Sequence, residues 1–204
     1  MKVSPAVLMF SFFATFCPGL EAAETGSIPS GPAVAIKDLL NSSDVALVGT
    51  ISGVENTFEF FGYDKEGHLA PNPHPGFEGV GFPTVDYRIE IEQIISDPSS
   101  LVTQGEAIFR TYGDFSSPRF QQYDELLRGR SVFFLTLNPD KATYGVHHSR
   151  YIINIQSSAP RYINGLAFED LLLLDDDSEV IEVMQSEDFV AEVVESVSNQ
   201  SHPQ

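Results

Sequence analysis

The chain has 204 residues, with 29 acidic against 11 basic side chains and a formal net charge of −18. Apolar residues make up 42% and charged residues 20% of the sequence, a balance typical of a globular protein with a buried core. The acidic excess argues against nucleic acid, anionic membrane surfaces and phosphate-rich ligands as partners, because each of these needs a cationic surface. The length predicts a single domain.

The N-terminus has the pattern of a secretory signal peptide over residues 1–22. Lys2 supplies the positive start, and residues 6–16 form an apolar run that is too short to span a membrane. Residues 20–22 (LEA) offer a cleavage site. We therefore expect an exported protein, periplasmic or extracellular, with no membrane span and with a flexible leader over residues 23–33.

The only cysteine, Cys17, lies inside this signal sequence. Phe16 precedes it and Pro18 follows it, whereas bacterial lipoprotein signals have a small residue before the cysteine, so a signal-peptide residue is favoured over a lipidation site. Cleavage near Ala22 leaves a mature chain without cysteine, which excludes disulfides, cysteine-ligated zinc and thiol catalysis. Export without disulfides favours a bacterial protein.

Short apolar and alternating segments predict a mainly β domain over residues 34–198. Residues 34–40 predict a short helix or turn, and residues 45–54 predict a curved strand whose glycines allow a bend or bulge. Asn138-Pro139-Asp140 predicts a turn, and Asn164-Gly165 a hairpin. Further strands are predicted at 84–95, 106–112, 131–137, 151–155, 161–163, 166–174 and 179–184.

The last element changes to a helical period. Ser186 can cap a helix with acids in its first turn, and one face of that helix is apolar, formed by Phe189, Val190, Val193, Val194 and Val197. We predict a small OB-like or Greek-key β-barrel of about six to eight strands with a short N-terminal helix and a C-terminal amphipathic helix. A β-sandwich is the alternative, and residues 199–204 are predicted to be a disordered tail.

The order of these segments resembles a loose group of exported bacterial domains with an OB-like β-barrel. The resemblance consists of residues 43–51 (SDVALVGTI), the alternating strand 87–95 (YRIEIEQII), the strand 129–135 (GRSVFFL) and a closing helix at 187–193 (EDFVAEV). The group is largely uncharacterised, so the resemblance implies the fold and export and carries no catalytic residues over. A long connection between the first two strands departs from the shorter one that is common in the group.

That connection, residues 56–83, contains four prolines, five glycines and six aromatic residues. Loops above about 12–15 residues are uncommon in compact domains and are often functional. Residues 58–61 predict a strand and residues 64–67 a turn. The aromatic side chains would suit contact with a protein, peptide or glycan, and the candidates are Phe60, Phe61, Tyr63, Phe77 and Phe82. An ordered insertion that merely packs on the barrel wall is the alternative.

Four histidines could form a divalent metal site in a metal-binding protein or a metal-dependent hydrolase. His68 and His74 lie in the long connection, and His147 and His148 could join them. Neither pair has the spacing of helical ligands, and the sequence has no His-Glu-x-x-His motif. Surface histidines are therefore the competing interpretation.

Clustered acids offer a second possible metal site. Asp175, Asp177 and Glu179 could bind calcium and stabilise a surface module. Their spacing does not match an EF-hand loop, so a solvated turn is the alternative.

The sequence contains no nucleophile elbow, phosphate-binding loop or dinucleotide fingerprint. Arg119, Arg128 and Arg130 form the densest basic set, and we expect them to flank a turn between strands and to pair with local acids such as Asp124. The leading hypothesis is therefore a monomeric, non-enzymatic, acidic binding module without a cofactor. It would contact a protein, peptide or glycan through the 56–83 connection, with the two metal hypotheses as alternatives.

Overall fold

The computed structural model describes residues 33–70, 76, 81–102, 105–146, 151–164, 166–174, 180–181 and 185–200. The predicted signal peptide and almost all of the predicted leader lie outside the described residues. None of the helices in the described part of the chain is long and apolar enough to cross a membrane.

The fold is mainly β, as predicted. The strands are β1 (Ala33–Ala35), β2 (Val45–Phe60), β3 (Phe82–Ser96), β4 (Glu106–Tyr112), β5 (Ser131–Leu137), β6 (Tyr144–Gly145), β7 (Ile152–Asn154), β8 (Arg161–Asn164), β9 (Ala167–Asp170), β10 (Leu172–Leu174) and β11 (Val180–Ile181). The helices are α1 (Ile36–Asn41), α2 (Pro118–Leu127) and α3 (Ser186–Gln200).

Five strands close a hydrogen-bonded ring. β2 pairs antiparallel with β3 and β5, β3 pairs antiparallel with β4, and β5 pairs antiparallel with β6. The parallel pair β4–β6 closes the ring where Phe109 meets Tyr144. This connectivity, with α2 between β4 and β5, is consistent with the predicted OB-like barrel.

The remaining strands extend the ring and add a second layer. β7 pairs with β5, and β8 and β9 continue outward from it. β1, β10 and β11 form a separate three-stranded sheet. The predicted strand over residues 166–174 is therefore two strands, β9 in the large sheet and β10 in the small one.

Two hydrophobic cores explain why residues 45–48 of β2 and residues 132–135 of β5 are continuously apolar. Residues 45–48 and 132–135 have no exposed surface at all. Alternate side chains enter the barrel interior with Tyr87, Ile89 and Phe109, and the others pack outward beneath α1, α3 and the small sheet. A strand that is buried on both faces loses the alternation of a half-exposed strand.

The predicted bulges in β2 are present. The register with β3 shifts between Val48 and Gly49 and again between Ile51 and Gly53. A Cβ atom at residue 49 would lie 2.6 Å from the Glu90 carbonyl oxygen, so only glycine lets the two strands approach there.

Helix α3 covers the outer core with four of the five residues of the predicted face, all except Val194. Phe189 and Val193 are fully buried, and Val190 and Val197 pack against the same cluster. The Ser186 hydroxyl donates to the Ser157 carbonyl at 2.7 Å and anchors the helix start to the loop after β7. The helix runs to Gln200, two residues into the segment predicted as a disordered tail.

Helix α2 replaces the turn that the sequence predicted between β4 and β5, so that prediction is wrong. Pro118 occupies its first turn, where the fixed φ of proline favours a helix start. Its apolar positions, Phe120, Tyr123 and Leu127, follow a helical spacing, and Leu127 is fully buried in the barrel core.

Candidate functional site

The connection after β2 begins with a small hairpin over residues 61–70, called here the insertion hairpin. Tyr63 and Leu69 form an isolated antiparallel β-bridge, and the Asp64 amide donates to the His68 carbonyl at 2.9 Å. The Asp64 carboxylate accepts hydrogen bonds from the amides of Glu66 and His68 at 2.9 and 2.8 Å. The predicted turn at residues 64–67 is therefore confirmed.

The tip of this hairpin docks on the β5–β6 turn, residues 138–143. Gly67 has φ +86°, and a Cβ atom there would lie 2.0 Å from the Pro139 carbonyl oxygen. Both the left-handed backbone and the close approach require glycine at this position. Two loops that are distant in the sequence thus meet at one end of the barrel.

A buried arginine on β4 joins these loops to the sheet. The Arg110 Nε and Nη2 atoms donate to both oxygens of Asp86, each at 2.7 Å. Its Nη1 atom donates to Asp140 Oδ2 and to Tyr63 Oη, each at 2.8 Å. The guanidinium also lies 4.9 Å from the centroid of the Phe58 ring. One cation therefore ties β3, β4, the insertion hairpin and the β5–β6 turn together.

Arg110 and Asp140 stay ionised in this network although their side chains are largely buried. The Arg110 side chain is 10% exposed and that of Asp86 is 7% exposed. Burial works against the charge on Arg110, but Asp86 and Tyr63 outweigh it and raise the pKa of the guanidinium. Burial alone would also raise the pKa of Asp140, but hydrogen bonds from Ala142 and Thr143, together with Arg110, bring that pKa below its usual range. Arg110 and Asp140 are thus both charged at neutral pH.

An aromatic patch lies beside this network on the outer face of β2, β3 and β4. Phe60 contacts Tyr63 and Tyr112 with ring centroids 4.9 and 5.7 Å apart, and Phe82 contacts Tyr112 at 6.2 Å. Phe82 is 49% exposed and Tyr112 is 60% exposed, whereas Phe60 is buried beneath them. With Phe58, these residues define the aromatic patch: Phe58, Phe60, Tyr63, Phe82 and Tyr112.

Three of the five predicted contact residues belong to this patch, namely Phe60, Tyr63 and Phe82. Phe61 instead packs its ring against Gly81, where a Cβ atom would lie 3.1 Å from the ring. Phe77 lies outside the described residues. Tyr112 was not predicted as a contact residue, because its only signal in the sequence is its place at the end of the predicted strand 106–112.

The predicted metal ligands do not assemble in the part of the chain that the structure describes. His68 Nδ1 lies 3.3 Å from Asp64 Oδ2, and the histidine side chain is 77% exposed. No group of three or more histidine, cysteine or acidic side chains that could hold a metal ion occurs among the described residues. The other candidates fall outside those residues: His74, His147, His148, Asp175, Asp177 and Glu179.

The predicted basic set separates. Arg128 pairs with Asp124 at 2.9 Å, as expected, while Arg130 pairs with Glu92 on β3 at 2.7 Å. Arg119, on the first turn of α2, has no ion pair with any described carboxylate. It lines a surface pocket at the start of that helix.

No protein-family model matches the chain, and neither the curated proteins nor the solved structures contain a significant match.

Proposed function

We propose that this protein is a non-enzymatic binding module that captures a protein, peptide or glycan partner on the aromatic patch. The observation that carries the proposal is the exposure of Phe82 and Tyr112, at 49% and 60%, on a surface that a buried ion network holds in place. Exposed aromatic side chains on rigid supports are typical of binding hot spots.

Burial of the two exposed rings of the patch can contribute a substantial part of the free energy of binding. Phe and Tyr bury about 150–250 Å² each, so covering the exposed half of two rings removes roughly 200 Å² from water. At about 25 cal/mol per Å² this contributes roughly 5 kcal/mol before the costs of association. Such a contribution suits the central contact of an interface rather than a complete interface.

The charges around the patch disfavour an anionic partner. Arg110 is the one cation in the network, and Asp86 and Asp140 already neutralise it. The net charge of −18 also disfavours binding of nucleic acids and phosphate-rich ligands. We therefore propose a neutral or cationic partner.

The position of the patch fits the resemblance to OB-like domains. Such barrels bind ligands with the face of their second and third strands and with two loops, the one after the first strand and the one before the last. Here the corresponding elements are β3, β4, the insertion hairpin and the β5–β6 turn. Export, and membership of the exported group, remain part of this proposal.

The test is a screen of the chain without its predicted signal peptide, residues 23–204, against defined peptide and glycan arrays at physiological salt. A Phe82→Ala/Tyr112→Ala double variant should lose at least about tenfold in affinity for any ligand found, because it removes both exposed rings. Ile94→Ala is the matched control, since Ile94 is 45% exposed near the opposite end of β3.

Binding that survives the double variant, or falls equally in the Ile94→Ala control, would show that the patch is not the contact surface. Circular dichroism of each variant establishes that the barrel is folded before the affinities are compared.

A further inference from the structure

A second candidate site lies at the start of α2 and shares no residue with the aromatic patch. The segment after β4, the first two turns of α2 and Leu166, which precedes β9, line a pocket of about 280 Å³. Its lining residues are Asp114, Ser117, Arg119, Phe120, Tyr123 and Leu166. The volume lies just below the range of pockets for drug-sized ligands, which favours a ligand the size of a single amino acid.

The apolar wall of this pocket is preformed. Phe120 packs between Phe115 and Tyr123, with ring centroids 6.2 and 5.9 Å apart. A Cβ atom on Gly113 would lie 1.8 Å from the Phe120 ring, so the backbone supports that ring directly. Leu166 completes the wall from the β8–β9 hairpin and is 39% exposed. An apolar group can therefore enter without rearrangement of the wall.

Two opposite charges line the same pocket without pairing with each other. The Arg119 side chain has no hydrogen bond or ion pair with any described residue, whereas the side chains of Arg110, Arg128 and Arg130 each have a carboxylate partner. Asp114 Oδ1 accepts hydrogen bonds from the amide and hydroxyl of Ser116 at 2.9 and 2.6 Å. These bonds favour the ionised carboxylate and lower the pKa of Asp114.

We propose that this pocket binds a free apolar amino acid in its zwitterionic form. Arg119 would receive the α-carboxylate, Asp114 would receive the α-ammonium group, and the side chain would pack on Phe120, Tyr123 and Leu166. A planar guanidinium matches a carboxylate in geometry, and an ionised aspartate accepts the hydrogens of an ammonium group. The proposal explains why two opposite charges stand apart on one apolar pocket, and it goes beyond the binding function of the aromatic patch.

The experiment is an NMR titration of the protein with three probes at millimolar concentration. L-phenylalanine carries both charges, N-acetyl-L-phenylalanine lacks the ammonium group, and L-phenylalanine amide lacks the carboxylate. We expect L-phenylalanine to shift the methyl signals of Leu166 and the ring signals of Phe120. Each of the other probes should bind about tenfold more weakly, because one charge-assisted contact is missing.

Two conservative substitutions test which charged group of the ligand Arg119 contacts and which one Asp114 contacts. Arg119→Gln should weaken L-phenylalanine binding about tenfold and leave binding of the amide unchanged. Asp114→Asn keeps an oxygen that accepts from Ser116, and it should weaken L-phenylalanine while leaving the N-acetyl probe unchanged. Unchanged signals from Val132 and Leu135, which are buried in the two cores, establish that each variant is folded.

Three results would overturn the proposal. They are the absence of shifts at Leu166 with millimolar L-phenylalanine, equal affinity for all three probes, and unchanged L-phenylalanine affinity in Arg119→Gln. None of them bears on the aromatic patch, since no residue is shared.

Discussion

Two arginines on neighbouring strands allow a direct test of the buried network. Arg110 bridges Asp86 and Asp140 with 10% of its side chain exposed. Arg88 likewise contacts two carboxylates, those of Glu55 and Glu106, but its side chain is 41% exposed. The two differ chiefly in burial, so methionine substitutions at both positions separate the effect of burial from that of charge pairing.

Arg110→Met should be strongly destabilising. It leaves the carboxylates of Asp86 and Asp140, which are 7% and 18% exposed, without their counter-ion. Removing one partner of a buried ion pair costs about 3–5 kcal/mol. With a urea m-value of about 2 kcal/mol per M, the unfolding midpoint should fall by roughly 1.5–2.5 M. Arg88→Met should change the midpoint little, because its pairs are solvated and screened by salt.

The assay is urea unfolding followed by far-ultraviolet circular dichroism, since the chain has no tryptophan to report by fluorescence. The double variant Arg110→Met/Asp86→Asn should recover part of the lost stability, because it also removes one unpaired charge. It replaces Arg110→Met in the comparison if that single variant does not fold. Equal losses in Arg110→Met and Arg88→Met would refute the assignment of a buried network.

Three further predictions concern the docked hairpin and the outer core. Gly67→Ala should release the insertion hairpin, because it adds backbone strain and a clash with the β5–β6 turn, and hydrogen exchange of amides 62–70 should accelerate. Gly53→Ala is its control, since a Cβ atom there meets nothing within 4 Å; acceleration in both variants, or in neither, would contradict the docking. The lowered pKa of Asp140 means that its contribution to the stability of the docked hairpin is present above the unfolded value, about 4, and is lost as the pH falls through the folded value. The protection factors of the same amides, taken relative to intrinsic exchange at each pH, should therefore fall on acidification below about pH 4. An Asp140→Asn variant should lack that pH dependence, and a wild-type hairpin indifferent to acid would count against the network. Phe189→Ala should destabilise the domain by about 3–5 kcal/mol in thermal or urea unfolding, because the ring is fully buried beneath α3, and a loss below about 1 kcal/mol would show that α3 does not close the outer core.

The strands that follow simple hydrophobic patterns were predictable from the sequence. β4 and β5 have the predicted bounds, and the bulges at Gly49 and Gly53 occur where the glycines suggested them. The two-residue strand β6 was not predicted, because Tyr144 and Gly145 are too few to show an alternation. Yet β6 closes the ring, so the closure depends on tertiary contacts rather than on local pattern.

The candidate site was predictable only in part, for the same reason. The aromatic content of the 56–83 connection singled out three members of the aromatic patch, and Asn138-Pro139-Asp140 was recognisable as a turn. The link between them depends on Arg110, whose pairing with Asp86 follows from the β3–β4 register. Its contact with Asp140 joins residues that are 30 positions apart, and no local pattern reveals such a contact.

The most direct test of the central claim is the affinity of one ligand, identified on the arrays, for three forms of the protein: wild type, Phe82→Ala/Tyr112→Ala and Ile94→Ala. If the aromatic patch is the binding surface, the double variant binds at least about tenfold more weakly, while the Ile94→Ala control matches the wild type. Equal affinities in all three forms would contradict this claim and remove the aromatic patch as the binding surface.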